Sequence, residues 1–326
     1  MTADNSPSRS LVIADAAALP ATLAPELEEA AGYARAEKAA ATRRAYKSDF
    51  ALFRSWCETK RVPALPARPE TVAAFLAAEA TRGTKPSTIG RRLAAIRYAH
   101  KLAGHEPPTN AETVKATLRG IRRTAGSRPV RKAPATTDKL LAMVGKAGTD
   151  IKGQRDRALL LLGFAGAFRR SELVALDVAD VQFCDGGMRV TIRKSKTDQE
   201  GLGVTIAIAR GSVACPVDAV CAWIKAAGIL DGPLFHSVTR NGEIPSRRLS
   251  ARAVAELVKS YARCAGLKAA DFSGHSMRSG FLTSAAARGA SIFKMMDVSR
   301  HKSIDTLRGY VRDAELFRDH AGSGLL

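Results

Sequence analysis

Apolar residues recur one helical face apart through most of the chain. After a helical stretch from Pro25 to Lys38, Thr42 is placed to cap a longer helix in which Tyr46, Phe50, Phe53 and Cys57 share a side. Pro63, Pro66 and Pro69 punctuate a loop, and Val72, Phe75 and Leu76 mark a short helix that stops by Gly83. Ser87 can cap the next helix, whose inward stripe is Ile89, Leu93 and Ile96 and which Gly104 ends; Val114, Leu118 and Ile121 mark one more. The pattern predicts an all-helical bundle of roughly one hundred residues, an ordinary domain size.

The pattern changes twice outside this bundle. Residues 1–25 have no strong periodicity and hold Ser, Pro and Ala, as a flexible tail does. The stretch from Arg119 to Lys132 carries basic residues and no acid, together with Gly126, Ser127 and Pro129, and reads as a basic linker over 125–134. A second domain then covers 135–326, leaving 26–124 for the first. In it, Lys139 to Val144 and Arg157 to Phe164 read as helices. Met188 to Arg193 and Val204 to Ile208 read as strands of a β-hairpin with a long polar turn from Lys194 to Gly201. Further helices are predicted at Pro216 to Ala226, Leu249 to Cys264, Ser276 to Arg288, Ser291 to Val298 and Ser303 to Tyr310. The expected class is mainly α: a helical bundle, then a mostly helical domain with a small antiparallel sheet.

Charge narrows the class of partner. Lys and Arg total 51 against 31 acidic residues, a formal net charge of +20. Such an excess favours a polyanion, with nucleic acid first; the bland alternative is charge that serves solubility alone. A membrane is disfavoured, because the longest strongly apolar run, Ala158 to Phe168, is too short to span a bilayer. The N-terminus lacks a basic segment followed by an apolar one, so no signal peptide is expected. The cysteines (Cys57, Cys184, Cys215, Cys221 and Cys264) form no CxxC pair, which removes zinc-finger spacing and suits reduced thiols in a cytoplasmic protein. Lys85, Arg91, Arg92 and Arg97 lie on one helix of the bundle, and Lys115, Arg119, Arg122 and Arg123 on the next. Either cluster alone is ordinarily a solvated face. Two on consecutive helices make candidate phosphate contacts.

Four short pieces of the second domain stand out: Phe168-Arg169-Arg170-Ser171-Glu172-Leu173, Lys194-Ser195-Lys196-Thr197, Gly274-His275-Ser276-Met277-Arg278, and His301 followed nine residues later by Tyr310. Separately each is weak. An HxxR pair is commonplace, a lone tyrosine on a helix is usually a packed aromatic, Arg169 alone reads as a partner for Glu172, and Lys196 alone is an ordinary turn lysine. Their order is not commonplace. Arg, then Lys on a hairpin, then HxxR, then His, then Tyr resembles the catalytic signature of the tyrosine recombinases, or phage integrases. The resemblance spans the second domain, and the basic bundle before it is similar to that family's core-binding, SAM-like domain.

The resemblance implies a chemistry that these side chains suit. Attack on a phosphodiester crowds negative charge onto the equatorial oxygens, so positioning and electrostatic stabilisation carry most of the catalysis. By resemblance Arg169 and Arg278 grip those oxygens, and guanidinium is the cation that donates in pairs. His275 and His301 add donors or manage a proton. Lys196 protonates the leaving 5′ oxygen, Glu172 supports the site, and Tyr310 is the nucleophile. A free phenol titrates near 10, so it needs help from a base or from positive charge. The product would be a 3′-phosphotyrosyl link that keeps the bond energy for religation. No cofactor is expected, and neither a GxxxxGK[ST] phosphate loop nor a metal-ligand cluster is found in the sequence. Lys194 is a near alternative to Lys196.

Three positions depart from the family pattern: Ala167 and Arg300 where Gly is frequent (Leu-Gly, rather than Ser299-Arg300, commonly precedes the His301 position), and Ser279 where a second His is common. The implied partners are double-stranded DNA, three further copies of the chain in a tetramer on DNA, and accessory directionality proteins. A nucleoid-associated cytoplasmic location follows. Leu316 and Phe317 belong to a tail that, in this family, often packs on a neighbouring protomer; folding back on its own domain is the alternative. A type IB topoisomerase-like enzyme shares the chemistry, and a DNA-binding protein that lost catalysis shares the fold. The compact helical bundle and the integrase-like spacing favour a site-specific recombinase over the former. The presence of every charged or nucleophilic position argues against the latter.

Overall fold

The computed structural model describes residues 20–126, 132–193 and 203–314. The chain separates into two compact units, Met1–Pro129 and Val130–Leu326.

The first unit is helical. Its elements are α1 (Ala24–Ala36), α2 (Ala40–Lys60), α3 (Pro69–Thr81), α4 (Pro86–Leu102) and α5 (Glu112–Ala125). The predicted apolar stripes are its core: Phe53, Cys57, Val72, Phe75, Leu76, Ile89, Ile96 and Val114 are all buried. Phe53 meets Phe75 edge-on, with ring centroids 5.0 Å apart. Each large side chain removed from water there stabilises the unit by roughly 2 kcal/mol. Two expected caps are corrected. Thr42 lies inside α2, which starts at Ala40 without a side-chain cap. Ser87 lies inside α4, because Pro86 already fixes a helical φ in the first turn while Lys85 stays extended. His100 is fully buried; its Nδ1 bonds the Ile96 carbonyl (2.8 Å) and its Nε2 accepts from Ala67 N–H (2.9 Å).

The second unit contains α6 (Thr137–Val144), α7 (Ile151–Ala165), α8 (Arg170–Ala175), β1 (Val181–Cys184), β2 (Gly187–Ile192), β3 (Val204–Ala209), α9 (Pro216–Ala227), α10 (Ala251–Cys264), α11 (Ser276–Ala287), α12 (Ile292–Ser299) and α13 (Ile304–Ala314). The strands form an antiparallel sheet in the order β1-β2-β3, with Val190 opposite both Val181 and Ile206. Met188, Val190 and Ile192 face the core, as the period of two demands. The predicted hairpin turn lies outside the described residues.

Three differences from the expected elements have local causes. α7 begins at Ile151 rather than Arg157, because Asp150 accepts from Gly153 N–H (3.0 Å) and caps the helix. Its first turns escape an apolar search because they bury Arg155 and Asp156 as an ion pair, and Tyr261 donates to the same carboxylate (2.9 Å). β1 and α8 are too short to show a period. α10 starts at Ala251 rather than Leu249, capped by Ser250 Oγ, which accepts from Ala253 N–H (3.1 Å).

α11 is drawn close to the chain entering this unit. Ala133 N–H donates to Asp271 (2.7 Å) and Ala135 N–H to Ser276 (2.9 Å). A Cβ on Gly280 would stand 1.8 Å from the Ala135 carbonyl oxygen, so only glycine fits that approach.

Candidate active site

The site is assembled from three chain turns of the second unit. The first follows α7. The chain passes through Gly166 and Ala167, which takes a left-handed φ of 45°, and then buries Phe168. Arg169 stands just ahead of α8. Its Nη1 donates to Glu172 Oε1 (2.5 Å) and its backbone N–H to Glu172 Oε2 (3.0 Å), so the carboxylate fixes both ends of the residue.

The second turn leads into α11. His275 immediately precedes the helix, and Arg278 lies on it with 1 % of its surface exposed. Arg278 Nη1 donates to the Ala167 carbonyl (2.6 Å), joining α11 to the first turn. Its Nη2 lies 3.2 Å from His301 Nε2, and its Nε is buried without an acceptor among the described residues.

The third turn follows α12 and carries His301, whose Nδ1 is 2.7 Å from Ser299 Oγ. α13 then presents Tyr310. The tyrosine is half-buried and packs against a small core of Leu282, Ala286, Met295 and Leu307 from α11, α12 and α13. His275 and Tyr310 share the wall of an open cavity of about 490 Å³, together with Lys132, Ser279, Thr283 and Thr306.

Charge is concentrated here. Burial and the neighbouring Arg169 and Arg300 lower Arg278 to about 9, which leaves it cationic at neutral pH. Loss of water and the charges of Arg278 and Arg169 lower His301 to about 4, and the same causes hold His275 below the ordinary imidazole range. Both rings are therefore neutral at pH 7. Burial pushes the Glu172 carboxyl up, but Arg300, then the Arg169 N–H and guanidinium, outweigh it and hold it below the ordinary carboxylate range. The result is a cluster of arginines with one carboxylate among them, close enough to His275 on the cavity wall to depress its pKa. Its unmet requirement is an oxyanion.

Of the predicted site residues, Arg169 is bonded to Glu172 and Arg278 to His301, the two pairs being joined through Arg300 and the Ala167 carbonyl, and His275 and Tyr310 stand on the cavity wall. Lys196 and Lys194 lie outside the described residues. Two further residues belong to the site. Lys132 reaches the cavity from the entering chain, with Nζ donating to the Ala270 carbonyl (2.5 Å). Arg300 holds a left-handed φ of 58° and sends a buried guanidinium onto Glu172. Its sequence signal was its occurrence where glycine is frequent. Among the described residues no group of His, Cys, Asp and Glu side chains is arranged to hold a metal ion.

The candidate phosphate contacts of the first unit divide. Arg91 donates twice to the buried Asp49 (2.7 and 3.0 Å), and Arg92, with 17 % of its side chain exposed, pairs with the buried Glu79. Arg97 bonds Thr109 and Asn110, and Arg119 pairs with Glu112 on the surface. Lys85, Lys115, Arg122 and Arg123 are exposed and form no ion pair among the described residues.

The phage integrase family matches residues 134–316, and the phage integrase N-terminal SAM-like domain matches residues 33–106. An integrase/recombinase xerD homolog of Selenomonas ruminantium is 37 % identical over 291 residues, covering 87 % of this chain and 85 % of that protein. Recombinase cre of Escherichia phage P1 is 27 % identical over 280 residues, 80 % of each chain. Among solved structures, XerH site-specific recombinase bound to palindromic difH substrate in a post-cleavage complex aligns with a TM-score of 0.60 at 16 % identity, covering 79 % of this chain and 72 % of that one. A lambda integrase dimer bound to a COC′ core site aligns with a TM-score of 0.55 at 17 % identity, covering 82 % and 72 %. These two likenesses concern the fold.

Proposed function

The chain belongs to the phage integrase family of tyrosine recombinases, DNA strand-exchange enzymes that act site-specifically, and from that premise we propose that Tyr310 is the nucleophile of a reaction needing no external energy source. The phenolic Oη attacks phosphorus and forms a 3′-phosphotyrosyl bond. The P–O bond to the 5′ oxygen breaks, and that oxygen leaves with a proton. Religation reverses the step: a 5′ hydroxyl attacks the phosphotyrosine, loses its proton and restores the phenol. One phosphodiester is exchanged for another, so no nucleotide is consumed.

Each side chain then has a task. Arg169 and Arg278 donate to the non-bridging oxygens, where charge builds in the transition state. Arg278 is held by Ala167 on one side and His301 on the other, leaving its buried Nε to seek an acceptor. A neutral His301 accepts from Arg278 through Nε2 and, with Nδ1 bonded to Ser299, holds that guanidinium in place; neutral His275 shares the cavity wall with Tyr310 and can take the phenolic proton. Glu172 orients Arg169. By resemblance, Lys196 supplies the leaving-group proton. Double-stranded DNA is the substrate, and the exposed Lys85, Lys115, Arg122 and Arg123 contact its phosphates, with Arg91, Arg92 and Arg119 adding field more than contact. Four protomers on two duplexes, assisted by accessory directionality proteins, complete strand exchange.

The observation that carries this reading is the convergence of Arg169, Arg278 and His301 beside a cavity walled by His275 and Tyr310. Covalent trapping tests it. Cells expressing wild type or Tyr310→Phe are denatured, and DNA that stays attached to the protein is isolated and sequenced. Attachment by wild type alone is expected, and the recovered sequence is the target. DNA attached to Tyr310→Phe would remove Tyr310 from the nucleophile's role.

A further inference from the structure

Arg300 occupies a backbone conformation that ordinarily favours glycine, with φ at 58°. A residue that merely completed the turn between α12 and His301 would be glycine. This one carries a long side chain, of which only 6 % is exposed to solvent. Its Nη1 donates to the carbonyls of Gly166 (3.0 Å) and Val298 (2.5 Å). Its Nη2 donates to Glu172 Oε2 (2.9 Å) and to the Ala167 carbonyl (3.2 Å), and the guanidinium lies 5.1 Å from the centre of the Phe168 ring.

These partners are the supports of the catalytic arginines. The Ala167 carbonyl also accepts from Arg278, and Glu172 also holds Arg169. We propose that Arg300 is a positioning residue for strand transfer: its guanidinium ties the turn before His301 to the Gly166–Arg169 turn and neutralises Glu172, so that Arg169 and Arg278 keep one geometry before DNA arrives. The inference rests on the roles given above to Arg169, Arg278 and Tyr310.

The physical reason is competition for Glu172. The carboxylate is faced by two guanidiniums, Arg169 on Oε1 and Arg300 on Oε2. With Arg300 removed, a buried carboxylate keeps a single cation and draws Arg169 toward itself, away from the phosphate. The Ala167 carbonyl loses its second donor at the same time, and of the two guanidiniums on it only Arg278 remains. Misplacement of a clamp by a fraction of an ångström to an ångström slows a positioned reaction by roughly a hundredfold.

Arg300→Gly removes the guanidinium while easing the backbone, which separates the two contributions. Adduct formation on saturating DNA should slow by roughly ten- to a hundredfold, with DNA affinity unchanged. Arg300→Lys should recover only part of the rate, because one ammonium cannot serve three carbonyls and a carboxylate at once. Losing Arg300 raises the Glu172 pKa, so the acid limb of the rate profile should move to higher pH; Glu172→Gln in the same chain should abolish that movement. A wild-type rate in Arg300→Gly overturns the proposal, as does a slow variant whose acid limb stays in place, which would assign the arginine to folding alone. If wild type forms no adduct, the Tyr310 assignment fails separately. The pairing is then decided by melting against pH: Arg300→Gly should lose stability at a higher pH than wild type, and coincident curves overturn it.

Discussion

The two histidines of the site are held neutral by the protein packed against them and by the arginines nearby, and a phosphate reverses the second of these causes. A phosphodiester placed between Arg169 and Arg278 cancels part of the charge that depresses His301 to about 4 and that lowers His275. Their pKa values should rise on binding, so DNA should bind with uptake of protons at pH above the His301 value of about 4, and more tightly as pH falls toward it. Calorimetry in buffers of differing ionisation enthalpy measures the uptake; binding with no proton exchange would contradict the charge assignment. The same residues show what a sequence discloses at this scale. Arg169, His275, Arg278, His301 and Tyr310 are legible because charged and aromatic groups recur in a family order. Arg300 is not legible, because its role depends on a left-handed φ and on carbonyls of Gly166 and Ala167 that only folding brings near. The ion pair of Arg91 is not legible for a related reason: its partner Asp49 sits on another helix, and buried acids look like surface acids in a sequence.

α11 carries Arg278 in its first turn, just after His275, and reaches the Ala135 carbonyl through Gly280. A methyl group at that glycine must push helix and entering chain apart. Gly280→Ala should therefore destabilise the second unit by roughly 2 kcal/mol or more, read from the midpoint of urea unfolding. It should also slow adduct formation, since the displaced helix holds Arg278 against Ala167. An unchanged midpoint would mean that the close approach relaxes freely. Helix interiors with one apolar stripe, such as α2 and α4, were legible from spacing alone. Helix starts were not: α7 opens on a buried Arg155–Asp156 pair, and α4 opens on Pro86 rather than on the serine beside it. Short elements such as β1 and α8 depend on their neighbours more than on their own residues.

At the scale of the whole chain, a net charge of +20 sets the expected response to salt. DNA affinity should fall steeply as salt rises, and a flat titration would contradict binding through phosphates. Two kinds of arginine can be told apart in that experiment. Replacing Arg122 and Arg123 by glutamine should reduce the salt slope by about one for each phosphate no longer neutralised. Arg91→Gln should leave the slope nearly intact and lower the melting temperature of the first unit, because the buried Asp49 loses both guanidinium hydrogen bonds and keeps only Arg92, 3.9 Å away. The division into a helical bundle and a mostly helical domain with one small sheet could be read from periodicity, and the family order of residues pointed to the second domain, which the phage integrase family matches. One consequence of the fold concerns force. The chain enters the second unit through Ala133 and Ala135, whose amides grip Asp271 and Ser276 on either side of His275. Tension applied at Lys132 loads its own bond to the Ala270 carbonyl and then those two. The mechanical weak point of the unit is therefore the seat of its HxxR turn, and pulling on the tether should silence the enzyme before it unfolds it.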